Sequence, residues 1–217
     1  MVILNFHGIG PITRDIDAGE KDCWINLRFL EEILDYVAPR KDIKLTVDDG
    51  NESDVTFLLP ALKERNLKCT FFLCSDRTDK PTFLDKDQIL EIRSAGMSIG
   101  NHGKYHKSWK GLTGESLLEE ILESKESLEL LIADSITAAA CPFGGYDRFS
   151  LKQLKKLEYD KVYTSDAGRC SPSDWLTRRN TIRRSMSIGD VKSIINRKPS
   201  VIQEVKMRTK TLIKRLR

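Results

Sequence analysis

Two hydrophobic periods take turns along this chain. Val2-Ile3-Leu4-Asn5-Phe6 is a short apolar run of strand length, while Leu27, Leu30, Ile33, Leu34 and Val37 recur at helical spacing within residues 26–37. The exchange continues with a strand at 43–47, a helix at 54–65, a strand at 69–73, a helix at 85–95 stopped by Gly96, and a short strand at 97–99. A long helix is predicted over 115–131, with Leu118, Ile121, Leu122, Leu128 and Leu131 as its apolar stripe. A strand at 136–141, a helix at 149–157, a strand at 161–164 and a last strand at 181–186 complete the pattern. Such repetition implies a parallel sheet with crossover helices. About seven strands favour a distorted (β/α) barrel over an open sheet, which puts the active site at the C-terminal strand ends. The fold class is therefore α/β, with residues 1–190 as the catalytic domain and 191–217 as a basic helical C-terminal tail.

Charge sharpens that division. The net charge is +4, yet residues 191–217 carry nine Lys or Arg against one acid, Glu204, so the body sums to −4. A mildly acidic body argues against nucleic acid as a partner. In the tail, Ile202, Val205, Leu212, Ile213 and Leu216 fall broadly on one side, ringed by Lys206, Arg208, Lys210, Lys214, Arg215 and Arg217. That amphipathic helix could lie peripherally on an anionic membrane leaflet. No apolar stretch approaches the ~20 residues of a membrane span. The start at Met1 lacks the basic and apolar regions of a signal peptide, and five scattered cysteines form no Cys-x-x-Cys. Reduced thiols in a cytoplasmic protein are the expectation. Nucleotide-binding glycine motifs are absent after the first strand.

The candidate chemistry gathers at predicted strand ends. All three histidines, His7, His102 and His106, lie there. The i, i+4 spacing of His102 and His106 predicts two imidazoles on one face of a helical turn, close enough to share a metal. Leu45-Thr46-Val47-Asp48-Asp49-Gly50 supplies carboxylates at another strand end. Asp49, His102 and His106 make a two-His, one-carboxylate set that leaves positions open, as catalytic sites require. Adjacent aspartates do not readily chelate one ion together, so Asp48 is free to take a proton. Trp24, Tyr105, Trp109 and Trp175 are candidates for ligand-stacking faces or for packing, and Cys141 reads as a buried thiol.

Three segments carry a family resemblance: Thr46-Val47-Asp48-Asp49-Gly50, His102-Gly103-Lys104-Tyr105-His106 and Ala140-Cys141-Pro142-Phe143-Gly144. They resemble the three motifs of the polysaccharide deacetylases with a NodB homology domain, carbohydrate esterase family 4. The resemblance implies a NodB-type distorted barrel, and one divalent ion, expected to be zinc, held by Asp49, His102 and His106. It implies Asp48 as base, the backbone N–H of Phe143 as oxyanion hole, and Tyr105, Pro142 and Gly144 near the substrate. The reaction implied is removal of an acyl group, usually acetyl, from a carbohydrate such as an acetamido sugar or a lipid- or nucleotide-linked glycan precursor in bacterial surface-polysaccharide synthesis.

Departures from the pattern are as informative. Ala140 stands where the family has an arginine, and Asp166 looks like the aspartate that arginine would engage, leaving Arg169, Arg183 or Arg184 as stand-ins. Gly103 replaces a hydroxyl residue. The family's late histidine is missing, which makes His7, at the end of the first strand, the candidate general acid. Two other readings stay open: a hydrolase of a non-sugar C–N bond such as a cyclic amide or ureide, and a catalytically silent metal- or glycan-binding domain.

Overall fold

Val2–Phe6 (β1) is buried along its whole length and pairs in parallel with Ile43–Asp49 (β2), Leu4 opposite Leu45 and Phe6 opposite Val47. The computed structural model containing them describes residues 1–16, 18–197, 200, 205, 209 and 211–214. Cys69–Leu73 (β3), Ser98–Asn101 (β4), Ala138–Ala140 (β5), Lys161–Thr164 (β6) and Leu176–Arg178 (β7) follow β2 in order across the sheet, and Asn180–Thr181 (β8) adds to the free side of β1. Every one of these pairings is parallel.

Arg179 alone separates β7 from β8. One short stretch of chain thus pairs first with β6 and then with β1, curling eight strands into a nearly closed barrel. The last strand expected at 181–186 lies instead at 176–181. Beyond it, Ile182 donates its N–H to Asn5 O at 2.9 Å and the chain turns at Arg183 to Met186. The physical reason is that the closing strand carries buried Thr177, Arg179 and Asn180, so hydrophobic periodicity passes over it.

Helices cover the outside. Ala18–Lys21 (α1) precedes Leu27–Val37 (α2), which buries Phe29, Leu30, Ile33, Leu34 and Val37 and starts where Asn26 accepts the Phe29 N–H. The helix expected at 54–65 opens as a π-helical turn, Asp54–Leu58, before Leu59–Glu64 (α3). Lys86–Ser94 (α4) begins with an Asp85–Gln88 capping box. The helix expected at 115–131 appears as Gly114–Leu118 (α5), a π-helical turn Glu119–Glu123, and Ser124–Ile132 (α6). Arg148–Lys156 (α7) fits the next prediction. Ile188–Asn196 (α8) straddles the boundary drawn at 190, buries Val191 and Ile195, and ties to α2 where Asn196 Nδ2 donates to Tyr36 Oη at 2.8 Å. Of the expected tail helix, residues 205, 209 and 211–214 are helical; Ile202, Lys206, Arg208, Lys210, Arg215, Leu216 and Arg217 lie outside the described residues. Among the described residues no helix is long and apolar enough to cross a membrane.

The main core fills the layer between strands and helices, and a smaller cluster of Ile3, Phe72, Ala140, Tyr163 and Cys170 packs separately from it. Leu30, wholly buried on α2, tests the larger layer: Leu30→Ala should cost about 2–5 kcal/mol through lost burial and the cavity left behind. Urea unfolding with an unchanged m-value would show it as a fall in midpoint.

Candidate active site

Strand β2 ends in an abrupt turn. Asp49 and Gly50 both have positive φ, 86° and 71°. Successive residues on a strand face opposite ways, and Asp48 and Asp49 accordingly meet different partners. The second element is the loop after β4. Gly103 and His106 have φ of 88° and 59°, so the His102–His106 segment is a loop rather than the helical turn expected from its spacing. Buried Glu120, on the π-helical turn, holds it by accepting the Tyr105 and Lys107 N–H groups at 2.9 and 3.3 Å. Asn101 Oδ1 accepts the Gly103 N–H at 2.7 Å, and Ser124 Oγ donates to the Gly103 carbonyl at 2.8 Å. A Cβ on Gly103 would sit 2.5 Å from Glu120 Oε2, which together with the positive φ explains glycine where related motifs carry a hydroxyl residue.

The loop delivers its histidines to Asp49. The ligand atoms of Asp49, His102 and His106 lie within 4.8 Å of one another. His106 Nε2 is 3.2 Å and His102 Nε2 3.8 Å from Asp49 Oδ1. Burial pushes the His106 imidazole down to about 3 and lowers His102 as well, against the pull of the aspartates, so both rings are neutral. Burial raises the Asp49 carboxyl, but His106, His7, Arg77 and His102 outweigh it and hold the group below the ordinary carboxylate range. Asp49 Oδ1 is buried without a well-aligned hydrogen bond, its nearest partners being Arg77 Nη1 at 3.0 Å and His106 Nε2 at 3.2 Å. Two neutral imidazoles and an ionised carboxylate are the groups a zinc-like divalent ion takes, so the residues present fit such an ion. Behind them, burial, then Asp49 and Asp48, raise the Asp54 carboxyl well above its usual range.

Asp48 belongs to a separate network. Arg179, wholly buried, grips it with both arms: Nη1 to Oδ1 at 2.6 Å and Nη2 to Oδ2 at 2.7 Å. Asn5 Nδ2 donates to Asp48 Oδ2 at 3.0 Å, and Asn5 Oδ1 accepts from Arg179 Nη1 at 2.8 Å and Thr46 Oγ1 at 2.6 Å. The Arg179 guanidinium also stacks 5.3 Å from the Phe72 ring. Burial alone would raise the Asp48 carboxyl, but Arg179, then His102 and His7, hold it far below its usual range.

Arg179 is thus the cation that the sequence left unassigned. The three candidates named for that role lie elsewhere. Arg169 donates to Ile195 O at 2.8 Å and pairs with Asp42, while Arg183 and Arg184 are exposed beyond β8. Asp166 does find a cation, from the tail: Lys214 Nζ lies 2.5 Å from its Oδ1, and Tyr146 Oη donates to its Oδ2 at 2.6 Å. Asn5 and Arg77 were missed as well. Only the polar Asn5 inside an apolar strand gave a signal.

His7 follows β1 and places Nε2 3.9 Å from Asp48 Oδ2, the oxygen that also lies 3.8 Å from His102 Nε2. Its Nδ1 is buried without a partner. In the third segment, Pro142 and Gly144 are buried and Phe143 takes φ 56°, ψ 13°, with its ring 69% exposed and centred 4.4 Å from that of His106. Tyr105 is partly exposed, its hydroxyl donating to Glu119 Oε1 at 3.0 Å and its ring flanked by Lys104 and Lys107. Trp109 and Trp24 are buried packing residues, and burial pushes the Cys141 thiol far up, out of the reactive range.

The polysaccharide deacetylase family model matches residues 35–162, more than half of the chain, and with this barrel and this site the protein belongs to that family. Among its relatives, YxkH of Bacillus subtilis, named for the polysaccharide deacetylases, is 26% identical over 145 residues, 67% of this chain and 52% of its own. A peptidoglycan-N-acetylglucosamine deacetylase of Bacillus cereus is 29% identical over 137 residues, 62% of this chain and 61% of its own. The chain therefore spans about half the length of the curated relatives it matches. The solved deacetylase PplD of Streptococcus pyogenes superposes with a TM-score of 0.79 at 20% identity, covering 91% of this chain and 98% of that one, which shows the shared fold.

Arg179→Met should cost about 3–5 kcal/mol at neutral pH by stranding a buried carboxylate. The Asp48 carboxyl is depressed in the folded state, so its contribution is complete above the ordinary value of 3.8 and is lost as pH falls below it. The stability gap between wild type and variant should accordingly narrow below that pH, as followed by chemical denaturation across an acid series.

Proposed function

We propose that this chain is a metal-dependent hydrolase that removes an acyl group, N-acetyl above all, from a sugar of a bacterial surface glycan or its precursor. The observation carrying this reading is the convergence of the Asp49, His102 and His106 donors beside Asp48 and His7 on one rim. Asp49, His102 and His106 would hold the ion, zinc in our reading, which when bound would polarise the acyl carbonyl and lower the pKa of water.

The protein's own groups divide the remaining work. Asp48 is kept ionised by Arg179, and its Oδ2, facing both His102 and His7, accepts the proton of the attacking water. The Phe143 backbone N–H donates to the oxyanion as the carbonyl carbon becomes tetrahedral. His7, whose Nε2 lies 3.9 Å from Asp48 Oδ2, gives a proton to the departing amine, which leaves poorly as an anion. The exposed Phe143 ring beside His106 offers an apolar face for a sugar ring, with Pro142 and Gly144 shaping the turn beneath it and Tyr105 on the adjoining loop. Asp166, anchored by Lys214 and Tyr146, steadies the neighbouring wall. The setting in this reading is the cytoplasm at the inner membrane face, a proposal supported by the basic tail with its exposed Val205, Leu212 and Ile213.

Acetate release from a panel of acetamido sugars, measured with and without chelator, tests the activity. Asp48→Asn should retain metal and lose roughly 10²–10⁴-fold in kcat, since the amide keeps the shape but not the proton acceptor. His7→Ala should lower kcat at unchanged metal content. Normal turnover by either variant would remove that residue from the mechanism, and turnover unaffected by chelation would remove the metal.

A further inference from the structure

The two histidines of the triad are held in opposite tautomers. His102 Nδ1 lies 2.8 Å from the Ala140 carbonyl oxygen, which can only accept. That nitrogen carries the proton, and Nε2 presents its lone pair toward Asp49. His106 is reversed. Its Nδ1 lies 3.2 Å from Arg77 Nη2, and a guanidinium can only donate. The His106 Nδ1 therefore accepts, and the proton of its neutral ring sits on Nε2, the atom 3.2 Å from Asp49 Oδ1. A ring in that state has no lone pair on Nε2 to offer a cation. The same arginine reaches the third ligand, with Nη1 3.0 Å from Asp49 Oδ1.

We propose that Arg77 is a gate on the metal site, a positioning residue that sets how tightly the triad holds its ion. The inference rests on the reading of Asp49, His102 and His106 as ligands. In this arrangement the Arg77 guanidinium sets its positive charge beside buried Asp49 and holds His106 in the tautomer that cannot ligate. For an ion to bind, the His106 Nε2 proton must leave and one must arrive at Nδ1, with no net change in protons. Arg77 must then withdraw from Nδ1, because two N–H donors cannot face each other at that distance. The charges push the same way: a largely buried guanidinium beside a dication is repelled, and burial limits the screening. His102 needs no such change. The site is thus half prepared for its ion, and the unprepared half is under the control of one side chain.

The test uses the ion-free full chain titrated with Zn²⁺ alone against a competing chromophoric chelator. Arg77→Met should bind zinc about tenfold more tightly than wild type, because the competing arrangement is gone and the binding-competent state is populated. His102→Ala should bind it far more weakly. Equal or weaker binding by Arg77→Met overturns the gate. Independently of any variant, long-range ¹H–¹⁵N spectra of the wild type should show His106 protonated on Nε2 without zinc and on Nδ1 with one equivalent of zinc. His106 protonated on Nδ1 before zinc is added, or unchanged after zinc has bound at the triad, overturns the gate and leaves the ligand assignment standing. Zinc binding indifferent to His102→Ala, or no zinc binding by wild type, overturns the ligand assignment and the gate with it.

Discussion

A carboxylate buried at the centre of a barrel must be paired, and the Asp48–Arg179 contact is where this structure meets that constraint. Asp48 is 2% exposed and Arg179 not at all. Neither could stay charged there alone, since an isolated ion in such surroundings costs several kcal/mol even after relaxation. Together, with Asn5 and Thr46 completing their hydrogen bonds, they form a planar two-armed pair that fixes the end of β2. The pair also closes the barrel. Arg179 occupies the single residue between β7 and β8, so the ion pair pins the point at which the chain passes from one sheet edge to the other.

From that anchor the site is built in two halves with different mechanics. The Asp48 half rests on strands and is stiff. The histidine half rests on a loop whose shape is imposed from outside by Glu120, Asn101 and Ser124, side chains of the π-helical turn, β4 and α6. Helices carry π-helical turns where a side chain must be aimed off the regular spiral, often near functional sites. Here one such turn carries Glu120 to the histidine loop, and the other begins five residues after Asp49, at Asp54. The long chain of supports explains how a loop with two positive-φ residues can present imidazoles to a buried carboxylate.

Three acidic groups of the site have a cation each. Asp48 takes Arg179, Asp49 takes Arg77, and Asp166 takes Lys214. One arginine at position 140 would serve this rim from within β5; alanine there is part of the inner apolar cluster instead, and the cations arrive from three separate segments. The tail residue Lys214 is consequently a component of the rim, 3.4 Å from the Gly144 carbonyl.

Much of this was legible in the chain. Helical and strand periods gave the parallel β-α order, and the Asp-Asp-Gly and His-x-x-x-His segments, at strand ends, pointed to the three residues that the fold brings together as a candidate triad, because local pattern and strand-end placement are both properties of short stretches. The closing strand was not legible, since its inward residues are polar for the sake of Asp48 and break the apolar period. Nor was the choice of Arg179 over Arg169, Arg183 or Arg184: all four follow β6 within 20 residues, and only the register of β7 and β8 decides which one enters the barrel. The His102–His106 spacing fits a helical turn equally well, and it took Glu120, fourteen residues beyond His106, to make it a loop. The sequence by itself offered candidate residues for the chemistry; the tertiary structure alone decided their charge partners, because those depend on groups that only folding brings within a few ångströms.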